Sequence, residues 1–405
     1  MSTTSCGAAP ATAQGAGNAA IARAAELMEL VRRDSTPEQW REWLKTPLER
    51  AAKAGDMGLV KALLESEADV DGSCCKNSGT ALHVAAAEGH TGVLREVLGA
   101  GADINAKNST GSTALHLASR NGHALVAEEL LGAGAAVHET VADDTEASAL
   151  HLACLNGRST VARVLLRAGA NAHIKITRGD HTGRPPLHVA ASQGKTRMVK
   201  HLLDAGGTVD ARGTKDGRTA LHQAALGGHV EVVQQLVRAG AHVEELVDAT
   251  RTPLHFAVHH SNAAALACLL GAGAEKESLD SPGLSPLHHA VDLGGRDAIK
   301  ALHEGADRRA RDLDGCSPLH RACLFLEQES VEVLLRFGAD ELATDDQGLT
   351  PAQVVGCGLD DADRDPAAEA RITDMLQKAP LDRACYRRAW LVMLRARQRS
   401  SHNPQ

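Results

Sequence analysis

The sequence predicts an all-α solenoid of helix-turn-helix units that stack side by side. The first observation is a four-residue pattern that recurs at steps of 32 to 37 residues, most often 33. The second is composition, because 405 residues include only three Trp, one Tyr and three Phe, so Ala, Leu and Val must fill thin cores between closely packed helices. The third is a Gly-Ala pair near the end of most units. Units this small cannot bury an apolar face alone, so neighbours must stack.

The recurring pattern is Thr or Ser, then Ala or Pro, then Leu and His. Its starts lie near residues 80, 113, 148, 185, 219, 252, 285 and 317, with degenerate copies near 46 and 350, which gives about ten units. Thr or Ser at the first place is typical of a helix N-cap, and Pro is tolerated at the first helical position. Leu and Ala return at helical spacing. Glycines such as Gly101 and Gly134 predict a left-handed end to the second helix of each unit.

This pattern resembles the ankyrin repeat family, whose T-P-L-H-x-A-A-x-x-G-H…L-L-x-x-G-A-D motif is matched across roughly residues 46 to 378. The resemblance implies helix-turn-helix units with projecting β-turn fingers and a concave groove. It also implies protein–protein recognition rather than catalysis, with display of a preorganised surface as the mechanism. The eight pattern histidines, of which His116 is one, are then expected to hydrogen-bond locally and to the adjacent repeat.

Composition and motif positions divide the chain into three parts. We expect a disordered or helical tail over 1–36, the repeat domain over 37–378 and a basic helix and tail over 379–405. Trp40 and Trp43 precede the first repeat and are expected to help cap the stack, and Glu67 replaces the glycine of that repeat. No signal peptide or membrane span is evident, and the nine Cys form no CxxC pair. We therefore expect a cytoplasmic protein, with the nucleus as the alternative.

No catalytic or cofactor motif is found. The net charge of −8 argues against nucleic acid as the partner, and no P-loop, H-E-x-x-H or G-x-S-x-G sequence is present. Cys316, His320 and Cys323 have ligand-like spacing, but His320 is a pattern histidine, Cys323 takes a core Ala position and no fourth ligand follows. The D-L-D-G sequence at 312–315 is interpreted as a finger turn rather than a calcium loop. We expect no enzyme activity, metal or cofactor.

Partner contacts are expected at finger tips and at the residue pair that follows the two alanines of each first helix. Carried over from the ankyrin pattern, the positions are Arg120, Asn121, Leu155, Asn156, His181, Arg184, Gln193, Lys215, Asp216, Arg218, Arg251, His259, His260 and Phe325. Between residues 173 and 260 these positions are rich in Arg, Lys and His, which predicts a positive patch for an acidic partner segment. The long finger 173–184 is either a binding loop or a tolerated insertion, and Phe325 either anchors a partner or packs on a neighbouring helix.

The segment 380–401 does not belong to the repeat and has three interpretations. It is a helix that caps the stack through Leu381, Trp390, Leu391 and Leu394, or a basic amphipathic segment for acidic partners or anionic lipid. Thirdly, Pro380, Leu381, Cys385 and Ala389 resemble the elongin-C-binding box of SOCS-box proteins, without the Leu-Pro portion that selects a cullin. The main prediction is a scaffold or adaptor. The alternative, implied by that box, is a substrate-recognition adaptor of a ubiquitin ligase with elongin C as partner.

Overall fold

The protein folds into short helices joined by tight turns, as seen in a computed structural model. It describes residues 47–72, 79–142, 146–177, 182–213, 217–248, 250–259, 262–303, 310–360 and 364–379. Over these ranges the regular structure consists of α-helices and one 3₁₀ helix, with two isolated β-bridges, Thr140 to Ser148 and Val247 to Arg251. The prediction of an all-α ankyrin-type repeat fold is confirmed.

The helices come in pairs, one pair per repeat. The first five pairs are α1 (47–54) and α2 (Met57–Glu65), α3 (Ala81–Glu88) and α4 (Thr91–Gly99), α5 (Ala114–Asn121) and α6 (Ala124–Gly132), α7 (Ala149–Leu155) and α8 (Ser159–Arg167), α9 (Pro186–Ser192) and α10 (Thr196–Asp204). The next four are α11 (Ala220–Leu226) and α12 (Val230–Arg238), α13 (Pro253–His259) and α14 (Ala263–Gly271), α15 (Pro286–Asp292) and α16 (Arg296–His303), α17 (Pro318–Leu324) and α18 (Gln328–Arg336). The last pair is the 3₁₀ helix Pro351–Gln353 and α19 (366–379).

The contacts divide the chain into two compact units. The first comprises Met1–Ala190 with Lys200–Gly207, and the second comprises Ala191–Val199 with Thr208–Gln405. In the first unit the first helices α3, α5 and α7 pack in series, and so do the second helices α4, α6 and α8. In the second unit α11, α13, α15 and α17 form one such row, and α12, α14, α16 and α18 form the other. Each unit is therefore two rows of helices.

The core between the two rows is built from small and branched apolar side chains. Leu115 and Ala118 of α5 are buried, as are Val126, Ala127 and Leu130 of α6. The corresponding leucines and alanines of the other repeats are buried as well. Alanine on the first helix lets the second helix approach closely, which accounts for the low aromatic content of the sequence.

A hydrogen-bonded box starts most of the first helices; α9 lacks it because Pro185 takes the capping place, and Nδ1 of His188 has no hydrogen-bond partner. The Thr113 N–H donates to Nδ1 of His116 over 3.2 Å, and the Thr113 hydroxyl lies 2.8 Å from the same nitrogen. Because Nδ1 accepts, Nε2 carries the proton and donates to the Glu139 carbonyl of the next finger at 3.0 Å. The same box with a bond to the next finger is found at His83, His151, His222, His255, His288 and His320. The expected role of these histidines is confirmed.

A second bond between neighbouring repeats comes from the residue at the start of the second helix. His90, His123 and His229 place Nε2 at 2.9 to 3.1 Å from a carbonyl at the end of the preceding first helix. Arg158 occupies the equivalent place and donates to the corresponding carbonyl, of Arg120, at 3.2 Å, and Asn262 donates to the Gly228 carbonyl, just beyond the end of α11, at 3.0 Å. A donor at this place satisfies a helix-terminal carbonyl that has no partner within its own helix.

The fingers are tight turns closed by an acidic or amide side chain. In the finger that begins at Asp280, Gly283 N–H donates to the Asp280 carbonyl over 2.8 Å and Leu284 N–H donates to the Asp280 carboxylate. Equivalent turns begin at Asn108, Asp312 and Asp345. The Gly-Ala glycines end the second helices with φ of 84° to 94°, and Glu67, which replaces the first of them, adopts φ of 63°.

Glycine at the finger of the second repeat is predicted to be indispensable. Gly111 has φ of +70°, and a Cβ there would lie 2.5 Å from the Ala142 backbone nitrogen. We expect Gly111→Ala to lower the free energy of unfolding by about 3 kcal/mol, since strain and steric overlap add. Gly101→Ala is the control, because it has a similar φ of +91° and no neighbour within 4 Å. It should cost about 1 kcal/mol in the same urea titration, and equal costs would contradict the steric argument.

Acid is predicted to weaken the fold through the box histidines. Burial lowers the pKa of His116, His222 and His255 from 6.5 to about 4. The unfolded chain therefore binds more protons between pH 6.5 and pH 4, so stability present above pH 6.5 is lost as the pH falls through this window. Over this pH window, each of these histidines should lower the free energy of unfolding by about 2–3 kcal/mol.

The double variant His116→Gln, His222→Gln tests this pH dependence. Glutamine is the natural occupant in the last repeat, where the Gln353 side-chain oxygen accepts from Thr350 N–H at 2.8 Å. We expect the variant to be less stable at pH 7.5, because the bond to the next finger is lost. Its urea midpoint should then fall less between pH 6.5 and pH 4.5 than that of the unchanged protein. An equally steep fall would rule out these two histidines as the source.

Candidate functional site

About half of the predicted contact positions have described side chains. The residues His181, Lys215, Asp216, His260, Leu381, Cys385 and Ala389 lie outside the described residues, and His259 is described only as the last residue of α13. The described ones are Arg120, Asn121, Leu155, Asn156, Arg184, Gln193, Arg218, Arg251 and Phe325. Trp40, Trp43 and the finger tip 178–181 also lie outside the description.

In the first unit the predicted pairs lie at the ends of neighbouring first helices. Arg120 is exposed and Leu155 is half-buried at equivalent places of α5 and α7, which pack side by side. The Asn121 amide donates to the Ala87 carbonyl at 2.7 Å, and the Asn156 amide donates to the Leu152 carbonyl at 2.9 Å. Asn121 therefore joins two neighbouring first helices, whereas Asn156 caps the end of its own helix.

Arg184 and Gln193 are the next two predicted contact positions along the chain. The backbone carbonyl of Arg184 lies 3.3 Å from Nε2 of His151, so this residue closes the box of the preceding repeat. Its side chain is half-buried, whereas Gln193, which follows α9, is exposed. Arg184 thus has a structural role in addition to the contact role predicted for it.

In the second unit Arg218 and Arg251 lie against one aromatic ring. The guanidinium carbon of Arg218 is 4.7 Å from the centre of the Phe256 ring, and that of Arg251 is 5.7 Å away. Phe256 is only 5% exposed, and His222 contacts the ring edge-on with centroids 5.4 Å apart. Phe256 was not among the predicted residues, although its place directly after the box histidine was a usable signal. The structure therefore brings two predicted arginines together through a third residue.

Other charged side chains lie around this ring. Arg212, in the preceding finger, forms an ion pair with Glu245 and donates to the Leu246 carbonyl. The Arg251 to Asp248 contact is 3.8 Å long and both side chains are largely exposed, so its strength in water is low. A cation over an aromatic ring is attracted to the ring face, so Phe256 helps to fix both guanidinium groups.

The place after the box histidine becomes ionic in the last repeats. His289 Nε2 lies 2.7 Å from the Asp280 carboxylate, and the His289 ring stacks edge-on against His255 at 5.7 Å. Arg321 forms a bidentate pair with Asp292 at 2.7 and 2.8 Å and also donates to Asp312 at 3.1 Å. The Asp312 side chain is only 2% exposed. Sequence reasoning missed these residues.

The turn after α17 departs from the other repeats, and we call residues 325–327 the Phe325 turn. Phe325 is 37% exposed, with the Arg321 guanidinium 5.6 Å from its ring centre. Leu326 has φ of 57° at a place where most other repeats carry glycine, as in Gly89. Burial, and then the nearby charges of Asp292 and Glu329, raise the pKa of Glu327.

Cys316, His320 and Cys323, which have the spacing of zinc ligands, have structural roles instead. His320 uses Nδ1 for Ser317 and Nε2 for the Leu349 carbonyl, which leaves no ring nitrogen for a metal. Burial raises the pKa of the Cys316 thiol to about 11 and that of Cys323 to about 12, so both thiols stay protonated. Asp312 accepts from the Asp314 and Cys316 N–H groups, as a finger turn requires. No cluster of metal-ligating side chains occurs among the described residues.

Comparisons with known proteins place the chain in a family. The family model for ankyrin repeats (3 copies) matches residues 18–108, 89–176, 172–246 and 254–345, and the chain therefore belongs to the ankyrin repeat family. The human ASB11 ankyrin repeat domain is similar at 29% identity with a TM-score of 0.48, over 55% of this chain and 95% of that domain. No curated protein matches. Within the described ranges, no helix has the length and apolar character needed to cross a bilayer.

The ionic network at Arg321 is predicted to be required for stability. We expect Arg321→Met to lower the free energy of unfolding by about 3 kcal/mol, because the buried Asp312 carboxylate loses its cation. Arg336→Met is the control, since Arg336 pairs with Glu332 at 2.6 Å on an exposed helix face. The control should change stability by about 0.5 kcal/mol or less in urea unfolding at pH 7. If both substitutions cost the same small amount, the network contributes no more than a surface pair.

Proposed function

We propose that this protein is a non-catalytic scaffold or adaptor that binds protein partners through its first-helix ends and finger tips. The observation that carries the proposal is the Arg218 and Arg251 pair held against Phe256. Two guanidinium groups fixed on one buried ring form a positive site for an acidic partner segment. An aromatic support restricts both side chains before binding, which reduces the entropy lost on association.

The charge balance of the molecule makes this positive site selective. The net charge of the chain is −8, so a strongly acidic partner is repelled everywhere except where arginines are concentrated. Phe256 holds two cations that are 33 residues apart in the sequence, which is one repeat. In the first unit, the exposed Arg120 and the half-buried Leu155 form a separate surface with one charged and one apolar side chain.

A non-catalytic role is supported by the state of the histidines. Burial keeps the pKa of His116, His222 and His255 near 4, so they are neutral at pH 7, and both ring nitrogens are engaged. Such a group has no nitrogen for a substrate proton. We place the interaction in the cytoplasm or nucleus, because Cys154, Cys316 and Cys323 are free thiols used as buried apolar side chains.

The ubiquitin-ligase alternative stays a prediction from the sequence. It depends on residues 380–389, which lie outside the described residues. No contact of the described residues favours it over the scaffold, and elongin C as a partner rests on the box residues alone.

Peptide selection on the full chain tests the acidic-partner proposal. Random peptides displayed on phage are selected against the unchanged protein and against the variant Arg218→Glu, Arg251→Glu. We expect Asp- and Glu-rich peptides from the unchanged protein, and at least tenfold weaker binding of those peptides by the variant in 150 mM salt. That factor corresponds to the loss of one charge-assisted contact, about 1.4 kcal/mol.

The matched control reverses two exposed arginines on second helices, outside the contact positions predicted from the sequence. Arg163 and Arg197 are exposed on α8 and α10, and Arg163→Glu, Arg197→Glu changes the net charge by the same amount. This control should keep the acidic peptides with nearly unchanged affinity. Selection of peptides without acidic enrichment, or equal losses in both variants, would contradict a specific role for the pair at Phe256.

A further inference from the structure

Two large apolar side chains are exposed at equivalent places of neighbouring repeats. Leu293 is the C-cap residue of α15 and is 43% exposed, and Phe325 is the C-cap residue of α17 and is 37% exposed. The two helices pack side by side in the second unit. We call this pair the Leu293–Phe325 patch.

The Asp292 and Arg321 ion pair shows that the two halves of the patch are close. Asp292 directly precedes Leu293 and binds the Arg321 guanidinium at 2.7 and 2.8 Å. The same guanidinium lies 5.6 Å from the centre of the Phe325 ring. Gly358 takes the equivalent place in the last repeat, and a Cβ there would be 3.2 Å from the Phe325 ring. The absence of a side chain at Gly358 leaves room beside the ring.

Two residues next to the patch replace stabilising residues found in most other repeats. Leu326 holds a left-handed φ of 57°, which strains a leucine and would not strain a glycine. Glu327 occupies the place from which His90, His123 and His229 contact the preceding repeat's carbonyl, and a carboxylate cannot donate there. Departures of this kind from local rules concentrate at functional sites.

The rim of the patch is acidic. Asp292 lies at this rim and pairs with Arg321, which also binds the buried Asp312. Glu327 and Glu329 add two more carboxylates; Glu329 pairs with Arg296 at 3.9 Å, and Arg371 lies on Gln328 between them. Burial and these neighbouring carboxylates raise the pKa of Glu327, as expected in a negative field. A segment that covers the patch must therefore combine apolar side chains with positive charge.

The chain itself carries a segment with this composition. Residues 381–405 contain six Arg and one Asp, and Trp390, Leu391 and Leu394 lie among the arginines. This segment continues from α19, and Arg371 of α19 donates to Gln328 of α18 at 2.8 Å. Helix α18 begins directly after the Phe325 turn, so the connection to the segment starts in the repeat next to the patch.

We propose that residues 387–397 of the same chain dock on the Leu293–Phe325 patch, with Trp390 against the apolar pair and the arginines on the acidic rim. The connecting residues 380–386 span about 23 Å when extended, which exceeds the separation of two adjacent repeats. Covalent attachment gives the segment a high effective concentration at the patch. This docking differs from a cap on the end of the stack, because it occupies the first-helix row one and two repeats before the end.

Fluorescence of Trp390 in the full chain tests the docking. The variant Trp40→Phe, Trp43→Phe leaves Trp390 as the only tryptophan. We expect blue-shifted emission with weak acrylamide quenching, unchanged over a hundredfold range of protein concentration. Adding Leu293→Ser or Phe325→Ser should shift the emission to that of an indole in water and raise the quenching constant several-fold. Glu327→Gln, Glu329→Gln should make the emission less sensitive to salt.

The control is Leu125→Ser, which removes a leucine that is 67% exposed on α6. It should leave the Trp390 emission unchanged. Water-like emission in the parent variant would overturn the proposal, and so would buried emission that ignores both patch substitutions, as an end cap predicts. Emission that depends on protein concentration would replace the intrachain contact with docking on a second copy. None of these outcomes bears on the peptide selection at Arg218 and Arg251.

Discussion

The bond from each box histidine to the next finger is the interaction on which the repeat fold depends. The helices have only seven to nine residues in most repeats, which is too short for stability in isolation. A histidine such as His116 caps its own helix through Nδ1 and fixes the neighbouring finger through Nε2. One side chain thereby couples local helix formation to the position of the next repeat. Burial keeps the imidazole neutral, with its one proton on Nε2. The histidine is therefore always the donor, and the finger carbonyl is always the acceptor.

The place after that histidine varies most in chemistry, and this variation gives the repeats separate surfaces. It holds Val84 and Leu152 in the first unit and Phe256, His289 and Arg321 in the second. Because the box fixes the helix, a new side chain at this place changes the surface without moving the backbone. Two arginines lie against Phe256, whereas two carboxylates bind Arg321. The same scaffold therefore presents arginine-rich and carboxylate-rich regions two repeats apart, and function is decided by these places rather than by the fold.

The sequence predicted the features that recur from repeat to repeat, including the histidine bond to the next one, and it missed the contacts between repeats that occur once. Thr113, Leu115 and His116 were interpretable because capping and helical spacing are local rules. The contact of Arg218 and Arg251 through Phe256 spans two repeats and is invisible to periodicity. Arg321 similarly pairs with Asp292, 29 residues earlier in the chain. Each of these contacts depends on which side chain reaches across to a neighbouring repeat, and a repeat pattern contains no such information.

The buried thiols allow local opening of the repeats to be measured. Cys154 and Cys323 are fully buried in α7 and α17, one in each compact unit, and burial raises the pKa of both thiols, that of Cys323 to about 12. A thiol reagent reacts with the thiolate and needs access, so neither cysteine is labelled until its own repeat separates from its neighbours. Cys357 is exposed and gives the reference rate in the same molecule. Labelling kinetics at two native positions thus measure the opening free energy of each unit separately, without an added probe.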